Sequence, residues 1–271
     1  MDLFATFTAA FKTNVTYKEA LRRVVRNTFS QFAEAFNVFL RRAENALAEQ
    51  GLGRRFLFII DGTDKLRGED TRRFFVHDAE LLLAVHTHVV YTAPLPLKYE
   101  SNLTSKLDAD LMLPMIKLRE QDGRRFEPGP QAMKEILLRR ADRTLFASDE
   151  EIDTLVEHSG GHPRELLRLL KLCCEYSETN RIDAKTADRA VRKLASEYRR
   201  FLEPDDYALL ADIDRGGAHT GNDDRVRRLL YNLALLEYND GEWRRSHPVV
   251  RVLDGYSTAE SKLTASGSGA T

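Results

Sequence analysis

The stretch FLFIIDGTDKL, Phe56 to Leu66, joins a run of apolar residues to two acids, Asp61 and Asp64. A short continuous apolar run, rich in aromatic and β-branched residues and preceded by the stop signals Gly51 and Gly53, predicts a buried parallel strand. The carboxyl end of such a strand opens on the ligand crevice of an α/β sheet, so acids placed there meet a metal or a phosphate. A plainer reading has Asp61-Gly62 turn the chain and cap the helix that follows. Both readings stand on these residues alone.

Working outward, apolar residues recur at three- and four-residue steps from Tyr17 to Glu49, through Leu21, Val25, Phe29, Phe32, Phe36, Phe39, Ala43 and Leu47. That period predicts a long amphipathic helix. A second helical pattern covers Thr71 to Ala84, and His88 to Thr92 repeats the short strand ending in a polar residue, with Pro94 and Pro96 forbidding its continuation. Met1-Asp2-Leu3-Phe4 reads as the tail of an earlier strand. Leu111 to Leu118 is a third strand, and Pro114 puts it at an edge. Strand, helix, strand, crossover, strand predicts a partial parallel α/β core over residues 1–128.

After Gly129-Pro130 the pattern turns helical, with helices expected at Gln131 to Arg140, Asp149 to His158, Pro163 to Tyr176 and Ala184 to Arg200, a helical domain over 129–200. From 201 to 256 two helices, Asp205 to Ile213 and Asp223 to Leu230, precede an apolar run ending at Tyr238. The turn pair Asp240-Gly241 between Tyr238 and Trp243 signals a hairpin, and helices plus a hairpin make a winged helix. Residues 257–271, rich in Ser, Thr, Ala and Gly, read as a disordered tail.

Composition narrows the function classes. Lys plus Arg number 41 against 42 Asp plus Glu, so no bulk charge draws the chain to nucleic acid or membrane. The only cysteines, Cys173 and Cys174, are helix neighbours that point to different faces, which suits a reducing cytoplasmic setting. No apolar run approaches the ~20 residues that span a bilayer. The sequons at Asn14 and Asn102 therefore read as unused. His86 and His88 alternate without a third ligand, and a turn entering the strand accounts for them.

The acid strand resembles a Walker B strand in the hhhhDGxD form of STAND ATPases. By that resemblance Asp61 is the metal-side acid, Asp64 the acid that polarises the attacking water, and Thr92 the polar "sensor 1" residue that orients water near the terminal phosphate. Ser159-Gly160-Gly161-His162-Pro163-Arg164-Glu165-Leu166-Leu167 is similar to the GGxPRxLLxLL "sensor 2" of origin-recognition-like and STAND proteins, in which the arginine, here Arg164, reads the nucleotide from a helical lid. Trp243 to Val250, WRRSHPVV, resembles the wing and next helix of STAND winged-helix domains, where a histidine, here His247, touches the diphosphate of ADP. The resemblance implies a RecA-like P-loop NTPase sheet, a helical lid, a winged helix, and ATP or ADP with Mg²⁺ as ligand.

One element of that family is missing from the sequence. No G-x-x-x-x-G-K-[ST] loop occurs in the 271 residues. The expectation is therefore a nucleotide-switch ATPase portion, inactive alone, which either takes its phosphate loop from an N-terminal portion or a partner chain or is a degenerate module that no longer turns over nucleotide; a homo-oligomer is the other partner expected. An arginine finger is sought among Arg124, Arg125, Arg139, Arg140 and Arg143. The alternatives are a non-catalytic interaction or scaffold module, and a winged-helix DNA-binding regulator. The last is not favoured, because Arg225, Arg227, Arg228, Arg244, Arg245 and Arg251 are offset by nearby acids.

Overall fold

The computed structural model describes residues 15–95, 97–100, 107–216 and 223–267, so the expectations for Met1 to Phe4, Asn14, Asn102 and residues 268–271 lie outside the described residues. It is a mostly helical α/β structure with a two-stranded parallel sheet and a small antiparallel hairpin. No RecA-like sheet is evident among the described residues. The chain divides into two compact units, residues 1–110 and 111–271, which breaks it earlier than the 128/129 boundary read from the sequence.

The first unit contains helix α1 (Val15–Glu49), strand β1 (Leu57–Ile60), helix α2 (Glu69–Arg72), a π turn (Arg73–His77), helix α3 (Ala79–Leu83), strand β2 (His88–Tyr91) and helix α4 (Leu97–Glu100). β1 and β2 run parallel, with Phe58 opposite Val89 and Ile60 opposite Tyr91. On one face Phe36 of α1 meets Phe58, at 6.2 Å between ring centroids, while Phe74 and Phe75 pack edge-on to Tyr91. The other face is open, which corrects the expected buried strand: Leu57 is 58%, Ile59 68% and Val90 49% exposed. Period two puts these three side chains on the face that α1 does not cover.

The buried stripe of α1 is also rotated from the expected one. Ala33, Asn37 and Leu40 are buried, whereas Phe32 and Phe39 are exposed and stack with Phe36 along the helix surface. Nothing is described for the side chains of Leu21 and Val25. Asn37 enters the interior because its amide is satisfied there, donating to the carbonyl of Ala84 and accepting from the amide of His86, each at 2.8 Å.

In the second unit Leu111 to Leu118 forms no strand, a further correction. Pro114 has no donor, and the backbone finds partners elsewhere: the Ile116 amide donates to the carbonyl of Gly161 (3.0 Å), and Leu118 accepts from Phe126 across a turn closed by an Arg119–Arg125 bridge. Helices α5 (Pro128–Leu138), α6 (Asp149–His158), α7 (Pro163–Tyr176) and α8 (Ala184–Tyr198) follow, close to the expected bounds. Their starts are chemically marked. Ser148 and Glu151 form a capping box on α6, Pro163 opens α7 behind the His162 cap, and the Asp183 carboxylate caps α8.

Helices α9 (Pro204–Asp214) and α10 (Asp224–Tyr231), strands β3 (Leu235–Tyr238) and β4 (Trp243–Ser246), and helices α11 (Pro248–Arg251) and α12 (Asp254–Gly267) complete the unit. The hairpin turns through Asn239, Asp240 and Gly241, all at positive φ. β3 is buried along its whole length, and Glu237 is accommodated there by a 2.9 Å bond from Arg244 across the hairpin. Residues 257–267 correct the expected disordered tail. They continue α12, which packs on α9: Tyr256 is buried and its hydroxyl donates to Asp214 (2.6 Å), and Gly255 lies so close to the Tyr207 ring that a Cβ there would come within 2.5 Å. α11 packs on α6 and α8, so the helical and winged-helix portions form one packed unit.

Candidate functional site

The residues expected to carry chemistry fall into two clusters, one in each unit. In the first, the chain leaves β1 at Asp61 and turns through Gly62, at φ +88°, into a 3₁₀ turn, Thr63–Lys65. Only glycine adopts that φ without strain, which sets the turn immediately after the first acid. The neighbouring strand β2 ends in Thr92, whose amide donates to the carbonyl of Ile60 (3.2 Å). The Thr92 hydroxyl donates to Asp64 Oδ1 (3.3 Å) and accepts from the Gly62 amide (3.0 Å). Asp61 Oδ1 also accepts from the Gly62 amide (2.7 Å), and the Thr63 hydroxyl donates to the Thr92 carbonyl. Asp61, Asp64 and Thr92 are thus brought together at the carboxyl ends of two adjacent parallel strands.

This cluster suits a hard cation that keeps most of its water. Asp61 is exposed with Oδ2 uncommitted, Asp64 is half-buried, and hydroxyl oxygens stand beside them. Mg²⁺ is usually held by one or two carboxylates with waters and substrate phosphates completing its octahedron. No group of three or more His, Cys, Asp or Glu side chains among the described residues forms a dedicated metal cage, His86 and His88 included. The ring of His88 meets Arg55 instead, at 3.1 Å.

The second cluster surrounds the turn between α6 and α7. Gly160 and Gly161 take φ of +62° and +78°. A Cβ on Gly160 would come within 2.5 Å of Leu236 and 3.0 Å of Pro248, and one on Gly161 would come within 1.8 Å of the Ile116 carbonyl oxygen. Both carbonyls are also committed, Gly160 to the Tyr238 hydroxyl (2.8 Å) and Gly161 to the Ile116 amide (3.0 Å). The glycines therefore admit the hairpin, α11 and the 111–118 segment. At the start of α7 the His162 ring accepts from the Glu165 amide (3.4 Å), and burial holds the His162 pKa below its ordinary value. Arg164 is exposed and bonds to no described residue. Arg168, one turn later, is the arginine that pairs, with Glu165 (2.7 Å) and Glu197 (2.5 Å).

His247, expected at a ligand surface, is instead completely buried. Its ring stacks on Tyr198 with centroids 5.1 Å apart, and its Nδ1 accepts from the Val249 amide (3.3 Å) to cap α11. Nε2 then carries the proton and has no partner. Burial, reinforced by the positive charges of His162, Arg251, His158 and Arg168, pulls its pKa down to about 3. Two surface clefts of this unit, of about 380 and 520 Å³, include neither Arg164 nor His247, and of the arginine-finger candidates only Arg124 lines one of them, the larger.

Several contributors were invisible in the sequence. Thr63 lies inside the quoted acid motif, and its hydroxyl was the available signal. Tyr198, Tyr238 and Glu165 are ordinary helix or hairpin residues until folding sets them against His247, Gly160 and Arg168. Comparison of the chain with protein-family models, with characterised proteins and with solved structures finds no match.

Proposed function

We propose that this chain is the acid-strand, lid and winged-helix portion of an AAA+/STAND-like nucleotide switch that binds ATP or ADP with Mg²⁺. The observation that carries the reading is the position of Asp61, Asp64 and Thr92 at the ends of two adjacent parallel strands, with the Thr92 hydroxyl bonded to Asp64 (3.3 Å) and to the Gly62 amide (3.0 Å), which also meets Asp61 (2.7 Å). The Mg²⁺-nucleotide supplies the scissile phosphoanhydride and the charge that the metal neutralises. Asp61 is the residue to hold a metal-bound water. Asp64, oriented by Thr92, accepts the proton of the attacking water. Arg164, exposed at the start of α7 with no acid partner among the described residues, is placed to fork onto phosphate oxygens.

The phosphate cradle is assigned to polypeptide outside these residues, since no P-loop occurs among them. Backbone amides and the P-loop lysine supply most of the stabilisation of transferring phosphate, so the chain by itself should turn over ATP negligibly. The test measures Mg²⁺-dependent binding of a fluorescent ADP analogue and ATP turnover, on this chain and on an N-terminally extended polypeptide. The reading expects binding and turnover in the extended form, both lost in Asp61→Ala. An extended form that carries a P-loop yet binds no nucleotide would overturn it.

Two further observations bear on the alternatives. The open apolar face of Leu57, Ile59 and Val90 favours an interaction module as the second reading, cytoplasmic in either case. Pairing of Arg225 with Asp205, Arg228 with Asp206, Arg244 with Glu237 and Arg251 with Asp214 leaves little basic surface for a DNA duplex. No helix among the described residues is long and apolar enough to cross a membrane.

A further inference from the structure

None of Thr63, Asp64 and Lys65 is fully buried, and the turn starts from Gly62 at φ +88°. Local bonds close the turn on itself: the Lys65 amide donates to Gly62, and the Leu66 amide to Thr63. Among the described residues, the hydrogen bonds that cross from the turn to the end of β2 all run to Thr92. Thr92 has one hydroxyl proton, directed at Asp64, and its oxygen is already an acceptor for Gly62. That hydroxyl alone leaves the turn able to rotate about the Gly62–Thr92 contact. The Thr63 hydroxyl, donating to the Thr92 main-chain carbonyl, supplies the second point that fixes the orientation.

The geometry points to Thr63 as a positioning residue that sets the spacing of Asp61 and Asp64 for a hydrated divalent cation. The inference rests on the nucleotide-switch reading of the acid strand and adds to it a residue outside the acids and the sensor position. The Thr63 hydroxyl is engaged by the Thr92 carbonyl. It acts through Thr92, and the main-chain acceptor makes its contribution independent of what the Thr92 side chain contacts. A side chain without the hydroxyl frees the turn and lets the carboxylates separate. Serine retains the donor and should retain the spacing.

The experiment titrates Mn²⁺ into the full chain and follows free Mn²⁺ by electron paramagnetic resonance, for the wild type, Asp61→Ala, Thr63→Val and Thr63→Ser. Loss of one orienting hydrogen bond should weaken Mn²⁺ binding by about five-fold in Thr63→Val. Thr63→Ser should bind like the wild type, and Asp61→Ala should lose the site. The thermal midpoint of Thr63→Val should stay at the wild-type value, because valine is isosteric and the position is not buried. Thr63→Ala carries the same test if valine perturbs folding. Wild-type affinity in Thr63→Val, with the site still lost in Asp61→Ala, overturns the positioning role and leaves the acid-strand reading standing. Equal weakening in the valine and serine variants overturns it as well, since the hydroxyl is then not the agent. No Mn²⁺ binding by the wild type, or binding unaffected by Asp61→Ala, removes the acid-strand reading and this inference with it.

Discussion

Replacing Gly161 by alanine separates two uses of a glycine pair before a helix: access for a phosphate, or access for another part of the protein. At φ +78° an alanine costs about 1–2 kcal/mol relative to glycine. Its Cβ would come within 1.8 Å of the Ile116 carbonyl oxygen, and real contacts do not fall below 3.0 Å, so the 111–118 segment must retreat by at least the difference. That retreat breaks the 3.0 Å bond from the Ile116 amide to the Gly161 carbonyl, which is worth about 1 kcal/mol. Reduced freedom of the unfolded chain returns roughly 0.4–1 kcal/mol. With the displaced packing of Ile116 added, the net destabilisation should reach about 3 kcal/mol. For a unit of this size that lowers the midpoint by about 6–12 °C. Gly123→Ala is the control, since Gly123 has φ +88° with nothing within 4 Å, and it should cost only about 1 kcal/mol. Thermal unfolding followed by far-ultraviolet circular dichroism measures both. If Gly161→Ala melts with the control or with the wild type, the close approach of Ile116 is not what the glycine serves.

Two other perturbations test the second unit. His247, neutral when folded with a pKa near 3 against 6.5 in an ordinary environment, binds its proton mainly in the unfolded state between those values. Its stabilising effect is therefore complete above about pH 6.5 and is lost as pH falls toward 3, at about 1.4 kcal/mol per pH unit. Urea unfolding at pH 7.5 and 4.5 should show a smaller acid loss in His247→Gln than in the wild type, and equal losses would contradict the burial of the ring. Glu237→Ala removes the 2.9 Å carboxylate bond of the nearly buried Arg244 and should destabilise by about 3 kcal/mol, because a desolvated guanidinium loses an ion-pair partner. Chemical denaturation of the single variants and of the Glu237→Ala, Arg244→Ala pair checks it, the pair being expected to cost much less than the sum.

The local code was legible where the determinants are local. Pro163 behind a capping histidine, Ser148 with Glu151, and Asp183 before a 3.6-residue apolar stripe gave helices close to their observed bounds, because caps satisfy amides within a few residues of themselves. Tyr238, Asp240-Gly241 and Trp243 marked the hairpin for the same reason. The acid cluster was legible too, since parallel pairing of two short apolar runs carries their last residues to the same end.

Burial followed different rules, as each failed expectation shows. An apolar run is a strand by propensity, yet whether Leu57 and Ile59 are covered depends on how many layers surround the sheet. Leu111 to Leu118 has strand composition and no ladder, since Gly161 and the 119–125 turn take its hydrogen bonds. His247 was expected to touch a ligand on the resemblance of WRRSHPVV to a STAND wing, and the tertiary structure buried it between Tyr198 and Gly160. The sequence by itself determined the helices, the hairpin and the meeting of Asp61, Asp64 and Thr92, all products of short-range geometry and capping. Tertiary structure alone decided which apolar faces are covered, what the paired glycines approach and that Arg168 rather than Arg164 reaches Glu197, because those depend on surfaces contributed by residues distant in the chain.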